Sequence, residues 1–436
     1  MDRKTTLVSA VIAFGAAALA SHMIFRGAEP KSSPVASRPT AVAAGPSYAS
    51  LLADVDERVA SLQKRATSRP TDWLIRMYLG NVLFERAGLT NQLDDFARVQ
   101  AVLDEAFALV PVGAGPTVLA ARFNFSIHRL EAAEKYLDMV DRRAIPQVED
   151  QQIARALRAE IALQRGEYKV AFDGLSEVAA VVPALAKAEL ALYHAKTGDR
   201  VKAEAILEET LASTRADDPR RRAWIRLQLG VIAMDHGELL LALQRLQDAD
   251  AELSGWWLVQ ENIAEVHDRR DDHDKAIAIH EELVRTVDLP QHMDALAGLY
   301  RHTGAPQKAD ELIARAAARW EQQLARFPEA AMGHALQHYM QFGPPERALE
   351  LALANEKLRP GGEAQVSLAR VYLQQGRPAE ALEVATRALA TPYRSARLHD
   401  VAAKAHAALG HTAAAEEQTA LCYAINPMYS SDEHSH

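Results

Sequence analysis

The sequence predicts an all-α protein built as a long array of helical hairpins. Hydrophobic residues make up 49% of the 436 residues but aromatic residues only 6%, so the apolar content is mainly alanine, leucine and valine. Alanine and leucine favour helices, and the residues that favour strands are sparse. Seven glycines are each followed five residues later by an alanine, at spacings that cluster near 34 residues, and a proline recurs after most copies. Repetition at this period is typical of stacked helical units.

Residues 1–25 are predicted to be a signal peptide or a membrane anchor. Arg3 and Lys4 precede residues 5–25, which contain no Asp, Glu, Lys or Arg and are just long enough to cross a bilayer as a helix. Residues 18–21 also fit a small-residue cleavage site. Both alternatives remain open, and both place the rest of the chain in the periplasm or on the outer face of the membrane.

Three further segments follow from composition and periodicity. Residues 26–47 are rich in Pro, Ala and Ser and are expected to form a linker. Residues 48–429 are predicted to form about ten repeats, the first two degenerate, with residues 48–68 as an additional capping helix. Residues 430–436 are expected to be a disordered tail.

Each unit is predicted to be a helix, a tight turn and a second helix. The glycine ends the first helix, where a left-handed conformation is favoured, and a proline such as Pro306, Pro344 or Pro378 comes where the next helix starts. The alanine lies where the second helix crosses the first, so that the two backbones approach closely. The pairs are Gly166 and Ala171, Gly198 and Ala203, Gly237 and Ala242, Gly304 and Ala309, Gly343 and Ala348, Gly376 and Ala381, and Gly410 and Ala415, with Asp271 replacing the glycine before Ala276.

This pattern resembles the tetratricopeptide repeat, a helical hairpin of 34 residues with small side chains at fixed positions. The resemblance covers about residues 70–428 and is carried best by the unit with Leu229, Gly230, Gly237, Ala242, Leu246 and Ala249. It implies a right-handed superhelix with a concave groove that binds a protein or peptide. The layout, with a leading apolar segment, is similar to that of repeat scaffolds used in bacterial envelope assembly.

The resemblance also indicates which residues line the groove, because the first helix of each unit faces it. The candidate partner-binding residues are Trp224, Val231, Glu261, Glu265, Asp268, Arg269, Asp294, Arg301, Arg370 and Lys404. The middle of this groove is expected to be apolar and then acidic, which favours a basic or mixed-charge peptide. The alternative is a charged face that is merely solvated. The net charge of −9 gives no basic footprint for nucleic acid.

Metal binding and catalysis receive little support from the sequence. His334 and His338 are four residues apart and therefore share a helical face, which makes them weak candidate ligands. No phosphate-binding glycine loop or nucleophile elbow is present, and Cys422 is expected to be a buried thiol. We therefore expect no cofactor and no enzymatic activity.

Two functional hypotheses follow. The first is a non-enzymatic scaffold on the extracytoplasmic side of the membrane that binds a partner in its groove and aids assembly of an envelope complex. The alternative is an accessory subunit of an exported metalloenzyme or cofactor-maturation system that binds metal through histidines. A cytosolic adaptor would require residues 1–25 to have no targeting role.

Overall fold

The computed structural model describes residues 46–111, 113–145 and 147–429, and within these ranges the chain is a succession of α-helices. The expectations for residues 1–25 and 430–436, and for most of the linker, lie outside them. The helices are α1 Tyr48–Ser68, α2 Trp73–Thr90, α3 Leu93–Ala108, α4 Thr117–Ser126, α5 Leu130–Asp141, α6 Val148–Gln164, α7 Tyr168–Val181, α8 Pro183–Lys196, α9 Arg200–Ser213, α10 Pro219–Asp235, α11 Leu239–Glu252, α12 Trp257–Arg269, α13 His273–Thr286, α14 Pro290–His302, α15 Pro306–Arg326, α16 Pro328–Phe342, α17 Pro345–Leu358, α18 Gly362–Gln374, α19 Pro378–Leu389, α20 Ala396–Ala408 and α21 Thr412–Ile425.

Helices α2 to α21 form ten consecutive hairpins of paired helices, and α1 packs against α2. The predicted all-α, repeat-built solenoid is therefore confirmed. None of the helices in the described ranges combines the length and the apolar character needed to cross a membrane.

Glycine in the left-handed region forms most of the turns inside the hairpins. Gly166, Gly198 and Gly237 have φ angles of 76°, 83° and 76°, and Asp271 adopts φ 60° in the copy that lacks the glycine. Gly343 differs from the prediction, because its backbone is extended at φ −106° and ψ −177°. Pro344 follows it, and a residue before proline is restricted to extended conformations.

Small side chains mark the places where the helices of a hairpin cross. Ala242 and Ala249 of α11 are fully buried. A Cβ added to Gly230 of α10 would lie 2.8 Å from Cγ of Leu246, which is closer than carbon atoms can pack. Here a larger residue would separate α10 from α11.

Successive turns of the solenoid touch one another. The Tyr168 hydroxyl accepts a hydrogen bond of 3.0 Å from the Gly362 amide, although the two residues are 194 positions apart. Nζ of Lys196 donates to Oε1 of Glu363 at 2.5 Å, and the Arg394 amide donates to the Lys196 carbonyl at 2.9 Å. The five residues that make these contacts line one cavity.

The beginning of the described chain is attached to the middle of the array. The Tyr48 amide donates to the Ser254 carbonyl at 2.9 Å, and the Ser254 amide donates to the Pro46 carbonyl at 3.2 Å. Nε1 of Trp257 donates to the Leu89 carbonyl at 2.6 Å. The start of α1 and the end of α2 therefore lie beside the beginning of α12 and the loop before it.

Candidate functional site

A cavity of about 830 Å³ lies beside the contacts between distant hairpins of the solenoid. Its walls come mainly from the first helices of the hairpins, namely α6, α8, α10, α12, α16, α18 and α20, together with α17, α21 and the loops beside them. Helices α6 and α8 belong to the third and fourth hairpins, whereas α18 belongs to the ninth. The cavity therefore lies where hairpins that are far apart in the sequence meet.

Glu265 of α12 is the most unusual residue of the cavity wall. The residue is 3% exposed, and its Oε1 accepts a hydrogen bond of 2.5 Å from Nη2 of Arg269. Its Oε2 is buried and has no hydrogen-bond partner among the described residues. Burial raises the pKa of Glu265 to about 7, although the charges of Arg269 and Arg397 oppose that rise. A buried polar atom without a partner is uncommon in native proteins.

Gln228 of α10 supplies a second unsatisfied polar group to the same cavity. Its side chain is 4% exposed, and its Nε2 has no acceptor within the described ranges. Glu265 and Gln228 therefore give the wall one acceptor and one donor that a polar ligand could satisfy.

Arginines from α18, α20 and the loop before α18 also line the cavity. Burial lowers the pKa of Arg370 on α18 to about 10, and the neighbouring charge of Arg397 on α20 lowers it further, while Tyr429 and Asp400 oppose the change. Burial likewise lowers the pKa of Arg359 to about 10.

The ionisable residues of the cavity are predominantly basic. Six lysines and arginines line it against three carboxylates, whereas the whole chain carries a net charge of −9. The cationic residues are Lys196, Arg269, Arg359, Arg370, Arg394 and Arg397, and the carboxylates are Asp235, Glu265 and Glu363.

Four of the ten groove residues proposed from the sequence line this cavity, namely Val231, Glu265, Arg269 and Arg370. The structure places the other six elsewhere. Trp224 is 2% exposed within the core that surrounds α10. Arg301 pairs with Asp310 at 3.3 Å, and Nζ of Lys404 lies 2.9 Å from Asp400.

The remaining three are carboxylates that are buried against histidines. Glu261 lies 3.4 Å from Nδ1 of His292, and Asp268 lies 3.0 Å from Nδ1 of His273. Asp294 lies 2.7 Å from Nδ1 of His338 and also accepts a bond of 2.7 Å from Nε1 of Trp320. The three carboxylates that were expected to make the groove acidic are therefore buried in contact with histidines.

Both candidate metal ligands are engaged by other residues. His338 is engaged by Asp294, whereas the His334 ring stacks on Trp320 with 6.2 Å between the ring centroids. In the described part of the chain, no group of three or more His, Cys, Asp or Glu side chains could hold a metal ion. Cys422 is 3% exposed, and burial raises the pKa of its thiol to about 12, so it is a poor nucleophile.

Sequence reasoning missed Gln228, Arg359 and Arg397. Gln228 could have been found as the polar residue within the otherwise apolar stretch 227–234 of α10. Arg359 and Arg397 reach the cavity because one turn of the solenoid packs on another, and no pattern within a single repeat shows that arrangement.

Comparison with known proteins supports the repeat architecture. Residues 366–397, which span α18 and α19, match the model of the tetratricopeptide repeat. No protein of curated function matches the chain in sequence.

Similar folds occur among solved structures, all at low sequence identity. A human IFIT1 dimer with PPP-AAAA is 17% identical, with 78% of this chain and 87% of that chain covered and a TM-score of 0.39. A tetratricopeptide repeat protein from Parabacteroides merdae is 16% identical, with 56% and 93% covered and a TM-score of 0.35. The APC/C hetero-tetramer Cut9-Hcn1 is 11% identical, with 88% and 86% covered and a TM-score of 0.39. The family match covers one hairpin of the array, residues 366–397, and the described residues as a whole form an all-helical solenoid.

Proposed function

We propose that this protein is a non-enzymatic interaction scaffold that binds a segment of a partner protein inside its cavity. The observation that carries the proposal is the cavity of about 830 Å³ whose wall holds two buried, unsatisfied polar atoms, Oε2 of Glu265 and Nε2 of Gln228. Ligand sites typically have volumes of roughly 300–1,000 Å³ and a few placed polar groups.

The free-energy cost of the two unpaired polar atoms supports a ligand in the cavity. A buried donor or acceptor without a partner costs about 1–3 kcal/mol. A bound peptide offers backbone N–H and C=O groups that could satisfy both atoms, and the apolar part of the wall, including Val231 and Val366, could cover its side chains. The cavity thus has the groups needed for an extended segment.

The extracytoplasmic location and the role in envelope assembly are part of this proposal. The location is supported by residues 5–25, which contain no Asp, Glu, Lys or Arg and are long enough to span a bilayer or to serve as the apolar core of a signal peptide. The role in envelope assembly is supported by the layout, in which such a segment precedes a repeat array. A reporter fused after residue 48 is expected to be active outside the cytoplasm. Activity only in the cytoplasm would contradict this part of the proposal.

The cavity itself is tested by filling it. Ser367 of α18 lines the cavity, and Ser367→Trp should obstruct it, whereas Thr386→Trp places the same side chain on the exposed face of the adjacent α19. Partners are cross-linked in cells that express each full-length variant and are quantified by mass spectrometry. We expect Ser367→Trp to lose partners that the wild type and Thr386→Trp retain.

Thermal unfolding followed by circular dichroism shows whether both variants stay folded. If the two folded variants capture the same partners in the same amounts, the cavity is not the binding site. Equal loss in both variants would likewise contradict the proposal.

A further inference from the structure

The charged side chains of the cavity wall are already engaged within the chain. Lys196 pairs with Glu363 and Arg269 pairs with Glu265, each at 2.5 Å. The four other cations of the lining also interact with groups of this chain, and they are Arg359, Arg370, Arg394 and Arg397. The excess of cations over carboxylates therefore gives no reason to expect an anionic ligand.

The two polar atoms that lack a partner are matched best by uncharged groups. Nε2 of Gln228 belongs to a neutral amide, and among the described residues it has no acceptor. Oε2 of Glu265 has no donor there either, but its carboxylate is paired with Arg269, and the charge of Arg397 also acts on it. A second cation at Oε2 would be repelled by these arginines, and an anion would be repelled by Glu265 itself. A neutral N–H group avoids both repulsions.

Aliphatic side chains leave accessible apolar surface in the cavity. Six of those in its lining are only partly buried or are exposed, and they come from α6, α8, α10, α19 and α21: Leu163, Leu192, Val231, Leu389, Leu421 and Ile425. Removing such surface from water favours binding. An acyl chain could cover these side chains, but it has no N–H group and would leave Oε2 of Glu265 unpaired. A peptide with apolar side chains covers them and also brings main-chain N–H and C=O groups.

We propose that the cavity binds an uncharged, apolar segment of the partner protein, whose side chains contact the aliphatic residues of the wall and whose main chain bonds to Gln228 and Glu265. The inference rests on the proposed function and gives the partner its chemistry. Nε2 of Gln228 would donate to a main-chain carbonyl, and Oε2 of Glu265 would accept from a main-chain N–H. Because every residue of a peptide except proline carries one such donor and one such acceptor, different residues of the partner can make the two bonds.

An uncharged segment differs from the basic or mixed-charge peptide that the sequence favoured. That expectation depended on Glu261, Asp268 and Asp294, which the structure buries against histidines and outside the cavity lining. These three carboxylates therefore do not reach a peptide in the cavity.

A random heptapeptide library displayed on phage tests the proposal with the purified full-length chain. Selections run in parallel on the wild type, on Ser367→Trp, which obstructs the cavity, and on Thr386→Trp, which leaves it open. Peptides that depend on the cavity are those enriched by the wild type and Thr386→Trp but not by Ser367→Trp. We expect these peptides to be rich in leucine, isoleucine, valine and phenylalanine and depleted in charged residues.

The affinity of the most enriched peptide, made with blocked ends and a fluorescent label, is measured by fluorescence anisotropy. It should change little as salt is raised, because no ion pair forms. Gln228→Met removes the donor from a side chain of similar length and should weaken binding about threefold to tenfold. Its thermal midpoint should not fall, since the free protein also loses an unsatisfied buried group. Gln374→Met, at an exposed position of α18 outside the cavity lining, is the control and should leave the affinity unchanged.

Cavity-dependent peptides that are enriched in acidic or basic residues would overturn the proposal, and so would the absence of cavity-dependent peptides. Unchanged affinity in Gln228→Met, or weaker binding together with a lowered midpoint, would overturn the main-chain bond assigned to Gln228. If Ser367→Trp still loses its cellular partners in any of these cases, the scaffold function stands and only the chemistry inferred for the partner is wrong.

Discussion

Histidines occupy some of the most deeply buried positions of this chain. His280 and His292 are 1% and 0% exposed, and their rings lie 6.2 Å apart beside Glu261. Burial, and then the charge of His292, lower the pKa of His280 to about 3.

The protein should therefore lose stability in mild acid. A histidine whose pKa is depressed in the folded state contributes stability that is present above its ordinary value of 6.5 and is lost as the pH falls towards 3. At pH 5 the loss from His280 alone is about 2 kcal/mol. We expect the free energy of unfolding, measured with urea, to fall between pH 7.5 and pH 5.

His280→Phe should make that fall smaller, because phenylalanine cannot be protonated. His411→Phe is the control, since His411 is exposed on the loop before α21. An equally steep acid dependence in His280→Phe and in the wild type would show that His280 is not a source of the acid sensitivity.

At the scale of the helical element, the repeat register was largely readable from the sequence. The glycine and alanine positions predicted the later hairpins, and the turn angles at Gly166, Gly198 and Gly237 match that prediction. The first two hairpins were harder to place, because Asn91 and His128 adopt φ angles of 51° and 59° and take the role of glycine. Asparagine and histidine also tolerate the left-handed region, so a search for glycine alone passes over them.

The crossing of α10 and α11 provides a stability test at this scale. Ala242→Leu introduces a large side chain where Ala242 is fully buried and the Ala242 carbonyl lies near Gly230. Overpacking of this kind costs about 1–3 kcal/mol. We expect a lower midpoint of thermal unfolding measured by circular dichroism.

Ala251→Leu is the matched control, because Ala251 is an exposed residue of the same helix. Its midpoint should stay close to that of the wild type, since the helix propensities of alanine and leucine are similar. Equal midpoints in Ala242→Leu and Ala251→Leu would contradict the assignment of Ala242 to the crossing.

At the scale of the whole molecule, the sequence predicted a concave groove but not its closure. The curvature of a solenoid accumulates from small rotations between neighbouring repeats, and no single repeat encodes the residue that meets it one turn later. The contacts of Tyr168 with Gly362 and of Lys196 with Glu363 are therefore invisible in the repeat pattern. They decide which arginines face the cavity, and for this reason the predicted charge of the groove differs from that of the observed lining.

Tyr168→Phe tests the contact between turns. Without the hydroxyl, the buried amide of Gly362 loses its partner, at a cost of about 1–3 kcal/mol. We expect faster hydrogen exchange at the Gly362 amide, measured by mass spectrometry of its peptide. Tyr372→Phe, on the same α18, is the control, and unchanged exchange in Tyr168→Phe would show that the two turns do not depend on this bond.

The paired backbone bonds between residues 46–48 and Ser254 fix where the chain enters the folded body. Ser254 belongs to the loop between α11 and α12. A tether attached at residue 46 would therefore hold the solenoid near its middle, between the fifth and sixth of its ten hairpins. Force along such a tether would load the joint between the fifth and sixth hairpins before it reached either terminus of the array. A bound partner that stiffens this joint would then change the force needed to unfold the molecule.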